Sequence, residues 1–188
     1  GPTPILKNRI MRTIEIQAYK FNELDEQAKQ KAIENNIYIN VDYDWWEDIY
    51  QEMEECGIKI KSFDLGRSRS CSIEFIDDAQ DVAEKILKEW GHHSAFYSDD
   101  CKQFLKDRDD LVKKYGTGND VDGYKVDEDK EDEFDQDLDD LYYYFRNDMQ
   151  QNILHVLDDG YIYLTSEETI TDTIEANEYE FTKDGSNI

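Results

Sequence analysis

The fold turns on Ile58-Lys59-Ile60-Lys61-Ser62-Phe63-Asp64-Leu65, then Gly66-Arg67-Ser68-Arg69-Ser70, then Cys71-Ser72-Ile73-Glu74-Phe75. Ile58, Ile60, Phe63 and Leu65 mark one strand. Cys71, Ile73 and Phe75 mark a second, and the Gly- and Ser-containing link between them has the composition of a hairpin loop. A hairpin buries its apolar face only against something else, so the flanking segments must supply the cover.

Those flanks read as helices. Upstream, Trp45, Trp46, Ile49, Tyr50, Met53 and Cys56 recur at helical spacing after Asp42 or Asp44, and Gly57 stands where a helix ends. Downstream, Asp77 or Asp78 precedes Ala79, Val82, Ala83, Ile86, Leu87 and Trp90, with Gly91 as the stop. Ser98 is the expected cap of the next helix, which carries Phe104, Leu105, Leu111, Val112 and Tyr115. A long helix is expected over about 131–157, with Phe134, Leu138, Leu141, Phe145, Met149 and Ile153 three or four residues apart and Asp158-Asp159-Gly160 as its break.

Further out, Thr13 to Tyr19 alternates as a half-buried strand does. A short helix follows, with Asn22 or Asp25 as its cap and Ala28, Ala32 and Ile33 inside. Tyr161 to Leu164 reads as extended, Ser166 caps a helix ending near Ala176, Tyr179 to Thr182 reads as a last strand, and Asp184-Gly185 as a turn. The expected class is α+β: a small, mostly antiparallel sheet of three or four strands covered by several helices, one of them long and acidic, in a single domain over 11–188. Residues 1–4 read as a tag remnant and 116–130 as a flexible acidic loop.

Charge is the strongest compositional signal. The formal net charge is −25, and mean hydropathy is −0.88. Residues 1–118 hold 24 acidic and 17 basic side chains, whereas 119–188 hold 22 and 4, so the excess sits in the last third. Such a chain repels phosphate backbones and anionic membranes, which argues against direct nucleic-acid or membrane binding. Three cysteines, an odd number with no CxxC pair, fit reduced thiols in a cytoplasmic protein.

The excess peaks between Asp127 and Asp140, where ten of fourteen residues are acidic: Asp127, Glu128, Asp129, Glu131, Asp132, Glu133, Asp135, Asp137, Asp139 and Asp140. At a rise of about 1.5 Å per residue, a helix there presents a charge roughly every 2 Å. Duplex DNA presents one about every 1.7 Å of its axis. Such a helix imitates a nucleic-acid backbone, and Phe134, Leu138 and Leu141 would dock its other side. Like charges at i,i+4 cost a few tenths of a kcal/mol each, and Asp is a poor interior helix former. A sequence selected only for solubility avoids both penalties by interspersing lysine. The bland reading is a solvated acidic face.

Other chemistry is thinner. A calcium loop over 118–129 would have Gly118 where an Asp belongs and Asp129 in place of the final bidentate Glu. His92-His93 with Cys101 lacks a fourth zinc ligand, and His155 falls on the long helix. GxSxG and the P-loop Gly-Lys-Ser/Thr are absent. The chain therefore reads as a non-enzyme without a cofactor. Arg67 and Arg69 suit an anionic partner or the chain's own acids. Trp45-Trp46 and Tyr142-Tyr143-Tyr144-Phe145 suit core packing or, for one Trp, a partner anchor.

Arg12-Thr13-Ile14-Glu15-Ile16 with Tyr19-Lys20-Phe21 and Glu23-Leu24, Asn40 to Glu47, Phe63-Asp64-Leu65, and Ile174 to Thr182 carry a resemblance. On these stretches the chain resembles a family of short acidic proteins of bacteriophages and other bacterial mobile elements, some bearing an antitoxin-like label. The family name implies no activity and no functional residue. It implies a phage or prophage setting inside a bacterial cell. Charge and resemblance together predict an inhibitor of a host nucleic-acid-handling or defence protein, whose basic surface the acidic run would occupy. An antitoxin-like module neutralising a basic toxin is the alternative.

Overall fold

A computed structural model describes residues 1, 11–89, 95–118 and 125–188. In chain order the elements are β1 (Tyr19–Lys20), α1 (Glu26–Asn35), α2 (Glu47–Glu55), β2 (Ile58–Asp64), β3 (Ser70–Phe75), α3 (Ala79–Glu89), α4 (Ala95–Tyr115), β4 (Gly116–Gly118), β5 (Lys125–Val126), α5 (Glu131–Leu164), α6 (Glu167–Ala176) and β6 (Glu180–Phe181). Short 3-10 turns at Phe21–Glu23 and Glu128–Lys130 precede α1 and α5. The class is α+β. The strands, however, form three separate two-stranded antiparallel ladders, β1–β6, β2–β3 and β4–β5, and not one sheet of three or four. β2–β3 and β4–β5 pair neighbours in the chain, whereas β1–β6 joins segments about 160 residues apart.

The described residues divide into two compact units. One comprises 1–42 and 164–188, the other 43–163. In the smaller unit, Phe21, Leu24, Ala28, Ala32, Ile170, Ile174 and Phe181 form the core. Asp25 caps α1 by accepting the Ala28 N–H at 2.8 Å, and Ser166 caps α6 through the Thr169 N–H at 3.3 Å. The amide of Asn40 donates to the Leu164 carbonyl, while its oxygen accepts the Thr173 hydroxyl. The strand expected over 13–19 is present only at its end. Pairing with β6 begins at Tyr19, and Ile14 and Ile16 are 78% and 61% exposed. The alternation is genuine, but β6 is two residues long, so residues 13–18 have no facing backbone to pair with.

In the larger unit the β2–β3 hairpin forms where the sequence places it. A register shift between Ile60 and Ser62 inserts Lys61 as an extra residue, which puts Phe63 on the face already occupied by Ile58 and Ile60. That face meets α2, α3, α4 and α5 in a core of Met53, Cys56, Ile58, Ile73, Val82, Ile86, Phe104, Phe145, Met149 and Ile153 among others. Gly57 follows α2 with φ +87°, the conformation a helix-ending glycine supplies.

Three helix boundaries differ from expectation, the first being that α2 begins at Glu47, after Trp45 and Trp46, and not at Asp42 or Asp44. Ser98 is buried inside α4, which begins at Ala95, and so caps nothing. α5 runs through Asp158-Asp159-Gly160 to Leu164, so the triplet is no break and Tyr161 to Leu164 is helical, not extended. Helix propensity at these three positions is overridden by packing, because Gly160 seats the Trp45 ring. Within the loop expected over 116–130, Gly116–Gly118 pairs with Lys125–Val126. Trp90 and Gly91 lie outside the described residues.

Candidate functional site: the acidic helix

The start of α5 is built to tolerate its charge. Asp127 opens the 3-10 turn, its carboxylate 3.5 Å from the Asp129 N–H, and the chain passes directly into α5 at Glu131. Glu131, Asp132 and Glu133 occupy the first helical turn, where unsatisfied N–H groups give the helix its positive end. Part of the mutual repulsion is thereby offset.

Orientation comes from the inner face. Phe134 is buried edge-on against Tyr115, with ring centroids 5.7 Å apart at 65°. Leu138 and Leu141 are half-buried, and Phe145 and Met149 are fully inside. This seam turns the acids outward. Asp127, Glu128, Asp129, Glu131, Asp132, Glu133, Asp135, Asp139 and Asp140 are all exposed. At 100° per residue, Asp132, Asp135 and Asp139 fall on one stripe about 10 Å long, with Glu133 and Asp140 on a second. Asp137 is the exception. It is half-buried and accepts the Tyr115 hydroxyl at 2.5 Å. That hydrogen bond pushes the Tyr115 phenol above its ordinary value, partly opposed by the Lys114 ammonium over its ring.

The neighbouring helix extends the surface. Asp107, Asp110 and Leu111 of α4 and Asp137, Asp140, Leu141 and Tyr144 of α5 line an open cleft of about 370 Å³. Lys106 lies 2.8 Å from Asp110 and holds its carboxyl below the usual range, first by hydrogen bonding and then by charge. Gln103 donates to Asp107 and Gln136 to Asp140. Among the described residues no group of three or more His, Cys, Asp or Glu is placed to hold a metal ion. Chemically the surface offers hydrogen-bond acceptors and a strong negative potential, which attract lysine and arginine.

The remaining candidates separate. His92-His93 and residues 119–124 of the calcium-loop reading lie outside the described residues. Cys101 is fully buried, and burial first, then Asp100 and Cys56, pushes its thiol up to about 12. Half-buried Cys71 is pushed up to about 11 by burial, and none of the three cysteines is joined in a disulfide. His155 is exposed, 3.5 Å from Asp159 one turn on. Arg69 pairs with the chain's own Asp158 at 2.5 Å, while Arg67 is exposed on the hairpin loop. Phe145 stacks on Phe104 at 4.2 Å and Tyr142 leans on the same ring, whereas Tyr143 and Tyr144 are exposed. No helix among the described residues is long and apolar enough to cross a membrane.

Sequence reasoning missed Tyr115, Asp107, Asp110 and Tyr144 as members of this surface. Tyr115 and Asp137 stand 22 residues apart, and no local pattern connects them. No protein-family profile, no curated protein and no solved structure matches the chain.

Proposed function

We propose that this chain is a protein-binding inhibitor that lays α5 into the basic nucleic-acid-binding groove of a host or defence protein, such as a nuclease complex. One observation carries the reading. Nine of the ten acidic side chains between Asp127 and Asp140 are exposed, on a helix whose inner seam is pinned by Phe134, Leu138 and Leu141. A rigid array of carboxylates costs the chain self-repulsion, and it returns fast, salt-sensitive association with a positively charged groove. The phage or prophage setting rests on the sequence resemblance, and direct nucleic-acid or membrane binding is disfavoured by the same charge.

The test is affinity capture from bacterial lysate at low and high salt, with mass spectrometry of what is retained. A nucleic-acid-binding protein held at low salt and displaced by DNA supports the reading. That capture should disappear when Asp132, Asp135 and Asp139 are replaced by Lys in a protein that remains folded. A small basic toxin retained instead favours the antitoxin-like module. Undiminished capture by the folded triple variant overturns the acidic-groove mechanism.

A further inference from the structure

A second surface in the same unit has a different chemistry. Trp45 and Trp46 precede α2, Phe63 stands on β2 and Tyr161 near the end of α5. Trp45 and Trp46 meet at 84°, Trp45 and Phe63 at 76°, and Trp46 and Phe63 at 74°, with centroids 5.5–5.9 Å apart. Three ring planes that are pairwise nearly perpendicular form a corner. Tyr161 adds a fourth wall 5.9 Å from Trp45. All four rings are half-buried, and with Asp64, Leu65 and Gly66 they line an open cleft of about 330 Å³. The Asp64 carboxylate at its rim is exposed and accepts the Gly66 N–H at 2.7 Å.

The electrostatics select the occupant. Aromatic faces carry negative potential, and an organic cation within about 6 Å of several centroids is attracted by each. A rim carboxylate adds a charge-assisted acceptor, and the chain's net charge of −25 draws cations and repels anions. A neutral apolar side chain would gain from the rings and nothing from Asp64. The cleft lies near the small end of the range for ligand pockets, which fits one side chain. We propose that this aromatic corner binds a guanidinium side chain presented by a partner protein, with Asp64 as its counter-charge. The proposal goes beyond the acidic-helix reading and does not depend on it.

The experiment uses the full chain and three capped tripeptides, Gly-Arg-Gly, Gly-citrulline-Gly and Gly-Leu-Gly, followed by indole N–H resonances and tryptophan emission. The expected result is a saturable shift of the Trp45 and Trp46 signals by the arginine peptide, with citrulline and leucine binding at least about tenfold more weakly. Asp64→Asn keeps the acceptor for Gly66 and removes the charge, and it should weaken arginine binding about three- to tenfold. The Asp132/Asp135/Asp139→Lys variant should bind the arginine peptide as the native chain does, so this result separates from failure of the acidic helix. Equal binding of citrulline or leucine overturns the proposal, as does absence of a saturable shift. Loss of arginine binding in the triple variant but not in Asp64→Asn overturns the assignment to this cleft. Tighter binding of choline than of the arginine peptide overturns the protein side chain as occupant.

Discussion

Trp45 rests its six-membered ring on the backbone of Gly160: a Cβ built on that glycine would stand 3.3 Å from Cζ3 and 4.0 Å from Cε3. The glycine is thus inside a helix because an indole needs its surface, at a propensity cost of about 1 kcal/mol relative to alanine. The two residues should therefore be energetically coupled. In a Trp45→Ala background, Gly160→Ala should raise stability by about 1 kcal/mol. In the native background the gain should be smaller by at least about 0.5 kcal/mol, since the ring must shift. Urea unfolding of the four proteins measures this, and strictly additive effects would contradict the contact.

Repulsion along α5 should be measurable by itself. Asp135 is exposed and has Glu131, Asp132 and Asp139 at helical spacing. Asp135→Lys exchanges like-charge pairs for attractive ones and a weak helix former for a better one. Stability should rise by about 0.5–1 kcal/mol in dilute buffer. The gain should shrink with added salt, as the Debye length falls from about 30 Å at 0.01 M to about 8 Å at 0.15 M. Melting curves at the two salt concentrations check both statements, and a lower melting temperature for the variant would contradict them.

Thiol reactivity has a pH dependence of known sign. Only the thiolate attacks, and with Cys71 pushed up to about 11, about one Cys71 in a thousand is ionised at pH 8. Cys101 is higher still and fully buried. Both cysteines should stay unlabelled by iodoacetamide at pH 8 in the native protein, and both should react in denaturant. Labelling of Cys71 should climb as pH approaches 11. Rapid native labelling at pH 8, located by peptide mapping, would show the burial to be wrong.

Two helix caps in the smaller unit should differ in worth. Asp25 accepts the Ala28 N–H at 2.8 Å, whereas Ser166 accepts the Thr169 N–H at 3.3 Å. Replacement by alanine should cost about 1 kcal/mol at Asp25 and somewhat less at Ser166. Asp25→Asn, which keeps an acceptor, should be nearly neutral. Denaturant titration gives the order, and a larger loss at Ser166 would reverse it.

Much of this structure was legible because it depends on neighbours in the chain. The β2–β3 hairpin, the seam of α5, the cap at Asp25, the cap at Ser166 and the helix end at Gly57 all follow from spacing and residue type within a few positions. The outward display of the acids belongs here too. Once Phe134, Leu138 and Leu141 share one face, residues such as Asp132, Asp135 and Asp139 must take another.

What the sequence could not determine depended on which distant surfaces meet. Thr13 to Ala18 alternates like a strand, but a strand exists only beside a partner, and β6 is too short to be one. Asp158-Asp159-Gly160 carries a local stop signal, yet Trp45, more than a hundred residues away, makes the glycine a packing surface and the helix continues. The partner of Arg69 was one of many acids until the fold brought Asp158 beside it. The aromatic corner likewise joins Trp45 and Trp46, just before α2, to Phe63 on β2 and Tyr161 on α5. Local periodicity sets which face of each element is apolar, whereas burial between elements selects which of those faces touch, and only the tertiary structure holds that second choice.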